Sequence, residues 1–582
     1  MITGESTRVA RSAGAPGSRR RAALWAVGVA VAVVALFVAY LGQSRTVSVG
    51  SDGASQVLQA WDMLHGNLRL HGWWVTDVSF YTTELPQYAL LEIARGLTPD
   101  VMHLGGAMTY TLLVIAAAVL ARGRARGKTG LIRALVAAGI LLAPQLGAGT
   151  QTLVLSPDHT GTAVPVLLIW LLIDRCPARW YVPVLVWLAL AWVAVADTLT
   201  LFVAVAPLAL VCAARVALAV LRNSESLRER WYDLALLAAA ILAIPTELAA
   251  TAVIRALGGW QVNSLSTALA ATGQLAGNAR LTGEGLLELF GANVFDASAS
   301  GSSLAVAFAI VHLVGVALAA VGVIGAAQAA ARGRLDFIDA ILLTGLLINL
   351  AAYLAGVQAV NITSTREIAP VLPFAAVLAG RQLGGWLLGE RRAEDYDDDR
   401  DRPSAARDRA LAGDSGPAGH RAPAGNGRAR AAVRYGLCAV LACYAAMLGY
   451  AAAQPSAPPQ YANLASWLSA QHLTDGLSGY HQANIVTLET GGAVTLRAVK
   501  QTAGGQLAAY TWNASTTWFD PAGSTANFLV ITAPGAPATA GGVGLTAAQA
   551  TATFGRPAKT FRYDDYLILV WPSGDNLLTR LR

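Results

Sequence analysis

The sequence predicts an all-α polytopic membrane protein of about eleven transmembrane helices, followed by a C-terminal extracytoplasmic α/β domain. Three observations predict it. Of 582 residues, 55% are hydrophobic and only 13% charged, where a soluble protein carries about 25% charged residues. Apolar runs near the ~20 residues that cross a bilayer recur along most of the chain. From residue 453 the composition turns less apolar and alternates in the manner of strands. The same numbers exclude disordered, collagenous and disulfide-scaffold classes for the bulk of the chain.

Eleven runs read as spans: about 22–42, 101–121, 131–148, 161–174, 181–196, 198–214, 231–254, 304–326, 337–356, 368–388 and 433–452. In hydrocarbon they must be helices, because the backbone finds no water to bond. The first follows Arg19-Arg20-Arg21 and lacks a clear small-x-small cleavage site. It therefore reads as a retained signal anchor behind a cytoplasmic tail, 1–21. The fourth to sixth are short, separated only by Asp174–Tyr181 and by Asp197. The module 22–389 includes a long outer loop, 43–100. Residues 390–432 hold almost no large apolar side chain and include the mixed charge run Glu390–Arg402, which reads as a disordered cytoplasmic linker. The span 433–452 leads into 453–582. There Tyr461–Leu473 reads as a short amphipathic helix, and Ala483–Leu488, Ala493–Val499, Asn527–Thr532 and Tyr566–Trp571 as strands. The four cysteines (Cys176, Cys212, Cys438, Cys443) lie in spans or at their inner ends and form no disulfide framework.

Charge placement sets the expected orientation. With the N-terminus inside, the inner segments hold 29 of the 42 Lys and Arg. The outer loops hold six (Arg45, Arg69, Arg95, Arg255, Arg280, Arg366) and the C-terminal region seven. The bias puts the N-terminus in the cytoplasm and the C-terminal domain outside. Only Lys128, Lys500 and Lys559 are lysines, a usage that fits a GC-rich bacterial genome and hence a bacterial plasma membrane. The arginines sit in short loops rather than on one basic face, which speaks against nucleic acid as a partner. No internal repeat or inverted pair of broken helices supports a transporter.

Carboxylates gather at the outer span ends: Asp52, Asp62, Asp77 and Glu84 in the first outer loop, Asp158, Asp197, and Glu247 in the outer half of the seventh span. Ionisable groups at the membrane edge are costly and mark sites by default. The first outer loop opens with an amphipathic run from Asp52 to Leu64, ended by Gly66, which reads as a helix lying on the membrane. An aromatic, polar stretch from His71 to Glu84 follows, with Trp73 and Trp74 as interface anchors. Leu85-Pro86 then opens a second amphipathic helix through about Leu97.

This layout resembles the GT-C superfamily of polytopic glycosyltransferases, the class of protein mannosyltransferases and lipid A aminoarabinose transferases, here of actinobacterial type. Two juxtamembrane helices after the first span, and an acidic residue soon after it, are the family's pattern. Ala60-Trp-Asp-Met-Leu-His-Gly66 is similar to its helix end. Thr363-Ser-Thr-Arg366-Glu-Ile-Ala-Pro370 is similar to its Arg-Tyr-x-x-Pro segment, with Glu367 in place of Tyr. The paired acid of many members is also missing, since Gly53 follows Asp52. The resemblance implies transfer of a hexosyl or pentosyl group from a polyprenyl-phosphate donor to an envelope glycan, lipid or protein on the outer face. It makes Asp52 the catalytic base and Arg366 the grip on the donor phosphate. Glu84, Asp158, His159, Asp197 and Glu247 are the substrate-binding candidates.

Each residue also has a purely structural reading. Asp52, Glu84, Asp158 and Asp197 sit where a carboxylate caps a helix. Arg366 is placed to pair with Glu367, and Glu247 with an internal partner. No cofactor is firmly implied. Asp158-His159 could also ligate a divalent metal, but no dense ligand cluster surrounds it. No Walker A loop, Gly-x-Ser-x-Gly elbow or CxxC pair occurs, so ATPase, serine-hydrolase and thiol-redox chemistry lack support. Two other functions stay open at this point: a non-catalytic scaffold whose C-terminal domain binds envelope partners, and a lipid or solute transporter.

Overall fold

The structure, a computed structural model, describes residues 16–155, 159–176, 178–222, 226–263, 268–299, 301–388, 425–537 and 544–581. Each expected span is a helix. Eight are long and apolar enough to cross a membrane: Ala23–Ser44, Asp100–Arg122, Leu201–Leu221, Trp231–Ala256, Ser303–Ala331, Phe337–Ala355, Val371–Leu388 and Ala431–Ala452. Gly127–Leu141, Thr160–Arg175 and Tyr181–Ala196 are shorter. The first of these was expected to reach residue 148. It stops at Leu141 because Pro144 disfavours helical backbone before it. The chain is a multi-pass membrane protein. The expected linker 390–432 lies mostly outside the described residues.

The first and last spans run side by side, and both deliver the chain to the same end of the bundle. There the Ala457 N–H donates to the Arg45 carbonyl (2.7 Å). We call this the domain end, and the opposite end the tail end. Within the bundle, helices cross on small residues. A Cβ added at Gly322 would lie 2.4 Å from the Ala379 Cα, so the two backbones touch directly.

The domain end is built from the loop after the first span and from the C-terminal region. The loop carries the helices Ser51–Leu64 and Glu84–Arg95 joined by strand β1 (Trp73–Val75). β1 pairs in parallel with β2 (Gln261–Val262) and antiparallel with a strand of the C-terminal region, Ala514–Ser515. The C-terminal region itself is a six-stranded sheet. Numbered in chain order, its strands are β3 (Asp475–Ser478), β4 (Thr495–Gln501), β5 (Leu507–Ala509), β7 (Phe528–Thr532), β8 (Lys559–Tyr563) and β9 (Tyr566–Val570), with Ala514–Ser515 as β6. The sheet order is β5-β4-β3-β7-β9-β8. Its centre, β4-β3-β7, is parallel and its flanks antiparallel. One sheet face packs Leu477, Val499, Leu529 and Leu569 under the helix Ala547–Phe554. The other packs Leu496, Phe528 and Ile568 into a core shared with Val57, Leu58 and Leu85 of the outer loop. Loop and domain are thus one apolar unit.

Two expectations fail here for physical reasons. Ala483–Leu488 is helical, within Tyr480–Glu489. That helix is wedged between β4 and Ser51–Leu64, and Gln482 to Leu488 are all buried. An element buried along most of its length shows no one-sided stripe, and its mix of polar and apolar residues reads equally as a strand. Trp73 is fully buried rather than an interface anchor, and its Nε1 donates to Asp62 Oδ2 (2.7 Å).

Candidate active site

The helix Ser51–Leu64 starts on Gly50 without a side-chain cap, so the Asp52 carboxylate is not spent on backbone N–H groups. It points to two partners instead. Its Oδ1 accepts a hydrogen bond from the Tyr480 hydroxyl (2.5 Å). Its Oδ2 lies 3.7 Å from Arg366 Nη1, and both side chains remain about two-fifths exposed. That separation is longer than a hydrogen bond, so the two charges face each other across a narrow gap.

Tyr480 comes from the C-terminal region, at the first turn of Tyr480–Glu489. Asn513 Nδ2 donates to its hydroxyl (3.4 Å), and Tyr510 meets its ring edge-on at 5.5 Å. Ser51 Oγ donates to the Tyr480 carbonyl (2.7 Å) and Ser55 Oγ to the Asn513 carbonyl (2.7 Å). Burial first, then the Asp52 charge, pushes the Tyr480 phenol well above its ordinary value. It stays protonated and donating throughout the physiological range.

Arg366 sits in a short 3₁₀ stretch, Ile362–Ile368, just before the helix Val371–Leu388. The stretch is anchored on both sides. Asn361 Oδ1 accepts from the Ser364 N–H (3.2 Å), and Asn349 Nδ2 donates to the Glu367 carbonyl (3.0 Å). Arg366 Nε lies 3.9 Å from Glu367 Oε1. Glu367 continues inward, its Oε2 2.9 Å from His159 Nε2, while His159 Nδ1 is 2.7 Å from Asp197 Oδ2. Asp197 is held in turn by the hydroxyl of Thr162 and by the Leu199 N–H (2.8 Å). Burial alone would lower the His159 pKa, but the two carboxylates outweigh it and raise the pKa well above the ordinary value. A cationic imidazole bridges Asp197 and Glu367. Asp77 faces the same group. Burial, then the Glu367 charge, raises its carboxyl to about 6. Its loop is docked by the Ser79 N–H donating to the Ala196 carbonyl (2.9 Å) and by Ser79 Oγ donating to that of Val195 (2.7 Å).

Two π-helical turns flank this chain of charges, Gln151–Leu155 before His159 and Leu201–Val205 after Asp197. Such turns widen a helix locally and recur at functional sites.

No protein-family model matches the sequence, and no curated protein matches it. Solved structures do. The crystal structure of ArnT from Cupriavidus metallidurans bound to undecaprenyl phosphate is 15% identical, covers 94% of this chain and 99% of that one, and superposes with a TM-score of 0.52. The apo state of the same protein is 15% identical, covers 94% and 98%, and gives 0.50. The fold is that of ArnT. The likeness covers the polytopic helical bundle expected from the layout of spans and outer loop, and it extends over the C-terminal region as well.

On this ArnT-like frame the expected residues have different fates. Asp52 and Arg366 face each other at 3.7 Å, and His159 and Asp197 join them through Glu367. Glu84 is buried in the first turn of its helix, with no side-chain cap bond at that terminus. It packs on Gly161 so closely that a Cβ there would fall 1.6 Å from its Oε1, which sets it behind the His159–Thr162 turn. Glu247 stands apart: it accepts from Thr251 Oγ1 (3.1 Å), one turn along its own helix. Asp158 lies outside the described residues. Among the described residues no cluster of three or more His, Cys, Asp or Glu is arranged to hold a metal, and both His159 ring nitrogens face carboxylates.

Three residues of the assembly escaped the sequence reading. Glu367 stood out only as a departure from the family's Tyr, and Asp77 only as one acid among several. Tyr480 lies 428 residues from Asp52, and nothing local marks it.

Proposed function

We propose that this chain is a GT-C-like glycosyltransferase of a bacterial plasma membrane. It takes a sugar from a polyprenyl-phosphate donor at the domain end, which we place outside on the Lys/Arg bias. The acceptor is a hydroxyl or amine of a cell-envelope glycan, lipid or exported protein. The observation that carries this reading is the opposition of Asp52 and Arg366 across 3.7 Å at the membrane edge. Undecaprenyl phosphate bound to the ArnT of like fold supports the class of donor.

The reaction needs a base and a cation, and these two residues are suited to the roles. The acceptor atom attacks C1 of the sugar and its proton passes to the Asp52 carboxylate. The bond between C1 and the phosphate oxygen breaks, and the phosphate leaves with the bonding electrons against the Arg366 guanidinium. Attack opposite the phosphate inverts C1. Tyr480 holds one carboxylate oxygen and so aims the other. Glu367, His159 and Asp197 brace the Arg366 segment from behind, and the partly exposed Glu367 offers a carboxylate to the sugar.

Purified full-length protein in nanodiscs, given a panel of radiolabelled polyprenyl-phosphate sugars and envelope extracts as acceptor, tests this. Wild type should transfer label from at least one donor, and Asp52→Asn should lower the rate by about 10²–10⁴-fold. Equal transfer by the two would sink the assignment of the base.

A further inference from the structure

The tail end of the bundle holds a cavity of about 1270 Å³ that shares no residue with the site around Asp52. It is ringed by the ends of helices and by the short turns between them. From Val371 to Arg381 the helix that links the two regions already rises about 15 Å, so this cavity is separate from the site around Asp52.

The charges of this cavity do not cancel. Its acids are already engaged. Arg381, with its side chain 8% exposed, is 2.6 Å from Asp336 Oδ1 and 3.9 Å from Asp174 Oδ1, and its Nε donates to Asp339. Asp233 is held by Arg215 (3.2 Å) and Arg230 (3.1 Å). Around these engaged acids stand Arg124, Arg126 and Arg334. Among the described residues Arg124 donates to a backbone carbonyl, that of Asp174 (2.9 and 2.7 Å). Arg126 and Arg334 are exposed and have no carboxylate partner among the described residues. Three guanidiniums facing one chamber form a site for an anion with several oxygens.

The surroundings specify how that anion is carried. Leu383, Phe337 and the half-exposed Trp386 line the same chamber. A narrow apolar groove of about 170 Å³, lined by Ile132, Leu135, Leu387, Leu437 and Leu441, runs beside it. Chamber and groove lie on neighbouring faces of the same two helices, since Arg133 and Trp386 line one while Ile132 and Leu387 line the other. A polar head fits the first and an acyl chain the second.

We propose that this chamber binds the phosphate headgroup of an anionic membrane lipid, with one chain in the adjoining groove. Basic pockets between helix ends recognise such headgroups, and the lipid would tie the helix ends together. The site does not rest on the transferase reading.

Full-length protein is delipidated in detergent, then offered phosphatidylglycerol, phosphatidylcholine or inorganic phosphate, and binding is read by native mass spectrometry. Wild type should retain phosphatidylglycerol over phosphatidylcholine. The double variant Arg126→Glu/Arg334→Glu, altered only at exposed positions, should bind phosphatidylglycerol about tenfold more weakly with an unchanged melting temperature. Equal retention by the variant, or no preference for the anionic lipid, overturns the proposal. Arginine-dependent binding of inorganic phosphate without lipid retention overturns its lipid part and gives the chamber to a soluble phosphate ester.

Discussion

At the residue scale, burial decides which carboxyls carry charge. Glu92, in the juxtamembrane helix Glu84–Arg95, is 2% exposed, and neither of its oxygens meets a hydrogen-bond donor. Burial pushes its carboxyl up to about 8. The folded state therefore binds this proton more tightly than the unfolded chain, whose carboxyl titrates near 4.5. The stability it contributes is complete below that value and is lost as pH rises through 8. Glu92→Gln removes the loss. The variant should melt with wild type at pH 4 and several degrees above it at pH 8.5, by thermal unfolding in detergent. Coincident curves at both pH values would mean that Glu92 is charged and solvated. The site residues were legible to different degrees for a related reason. Asp52 and Arg366 stand in short stretches that resemble a family's motifs. Glu367, His159 and Asp197 act by bridging, and a bridge between helices leaves no spacing in the chain.

At the scale of elements, the spans were legible because a bilayer imposes both length and composition. Tyr181–Ala196 matches its expected limits, while Gly127–Leu141 is cut short by a proline. The helix Tyr480–Glu489 was illegible because its tertiary setting buries every side, erasing the period that distinguishes helix from strand. This hidden element carries the group that holds Asp52. Tyr480→Phe keeps the edge-on contact with Tyr510 and deletes one hydrogen bond to a carboxylate. Its kcat in the transfer assay should fall about tenfold, with KM and melting temperature nearly unchanged. A fall confined to KM would make Tyr480 a substrate contact rather than a positioning residue.

At the scale of the whole molecule, the two ends are fixed by different means. The tail end is pinned by Arg381, which collects Asp174 from the end of one helix and Asp336 and Asp339 from the start of another. Asp339 is itself buried. Arg381→Gln strands that carboxylate and should cost about 3–5 kcal/mol, read as a lower unfolding midpoint in detergent. The double change Arg381→Met/Asp339→Leu should restore much of the loss, because it removes both charges together. If the double variant were no better than the single one, the pin would depend on Asp174 and Asp336 instead. Sequence reading found the arginines of this end but counted them only as an orientation signal. That they ring a chamber depends on how helices meet in space.

The domain end is fastened by β1, which takes one neighbour from Gln261–Val262 and the other from Ala514–Ser515. The bonds from Ser51 and Ser55 to Tyr480 and Asn513 span 429 and 458 residues of chain. At ~5–20 residues per second, a ribosome needs about 20–90 s to make the second half of each pair after the first. Throughout that interval the spans are being inserted while Asp52 still lacks Tyr480 and β1 lacks one edge. Completion of the site therefore follows synthesis of all the described spans. A chain released early would carry a full set of membrane helices and an unfinished centre.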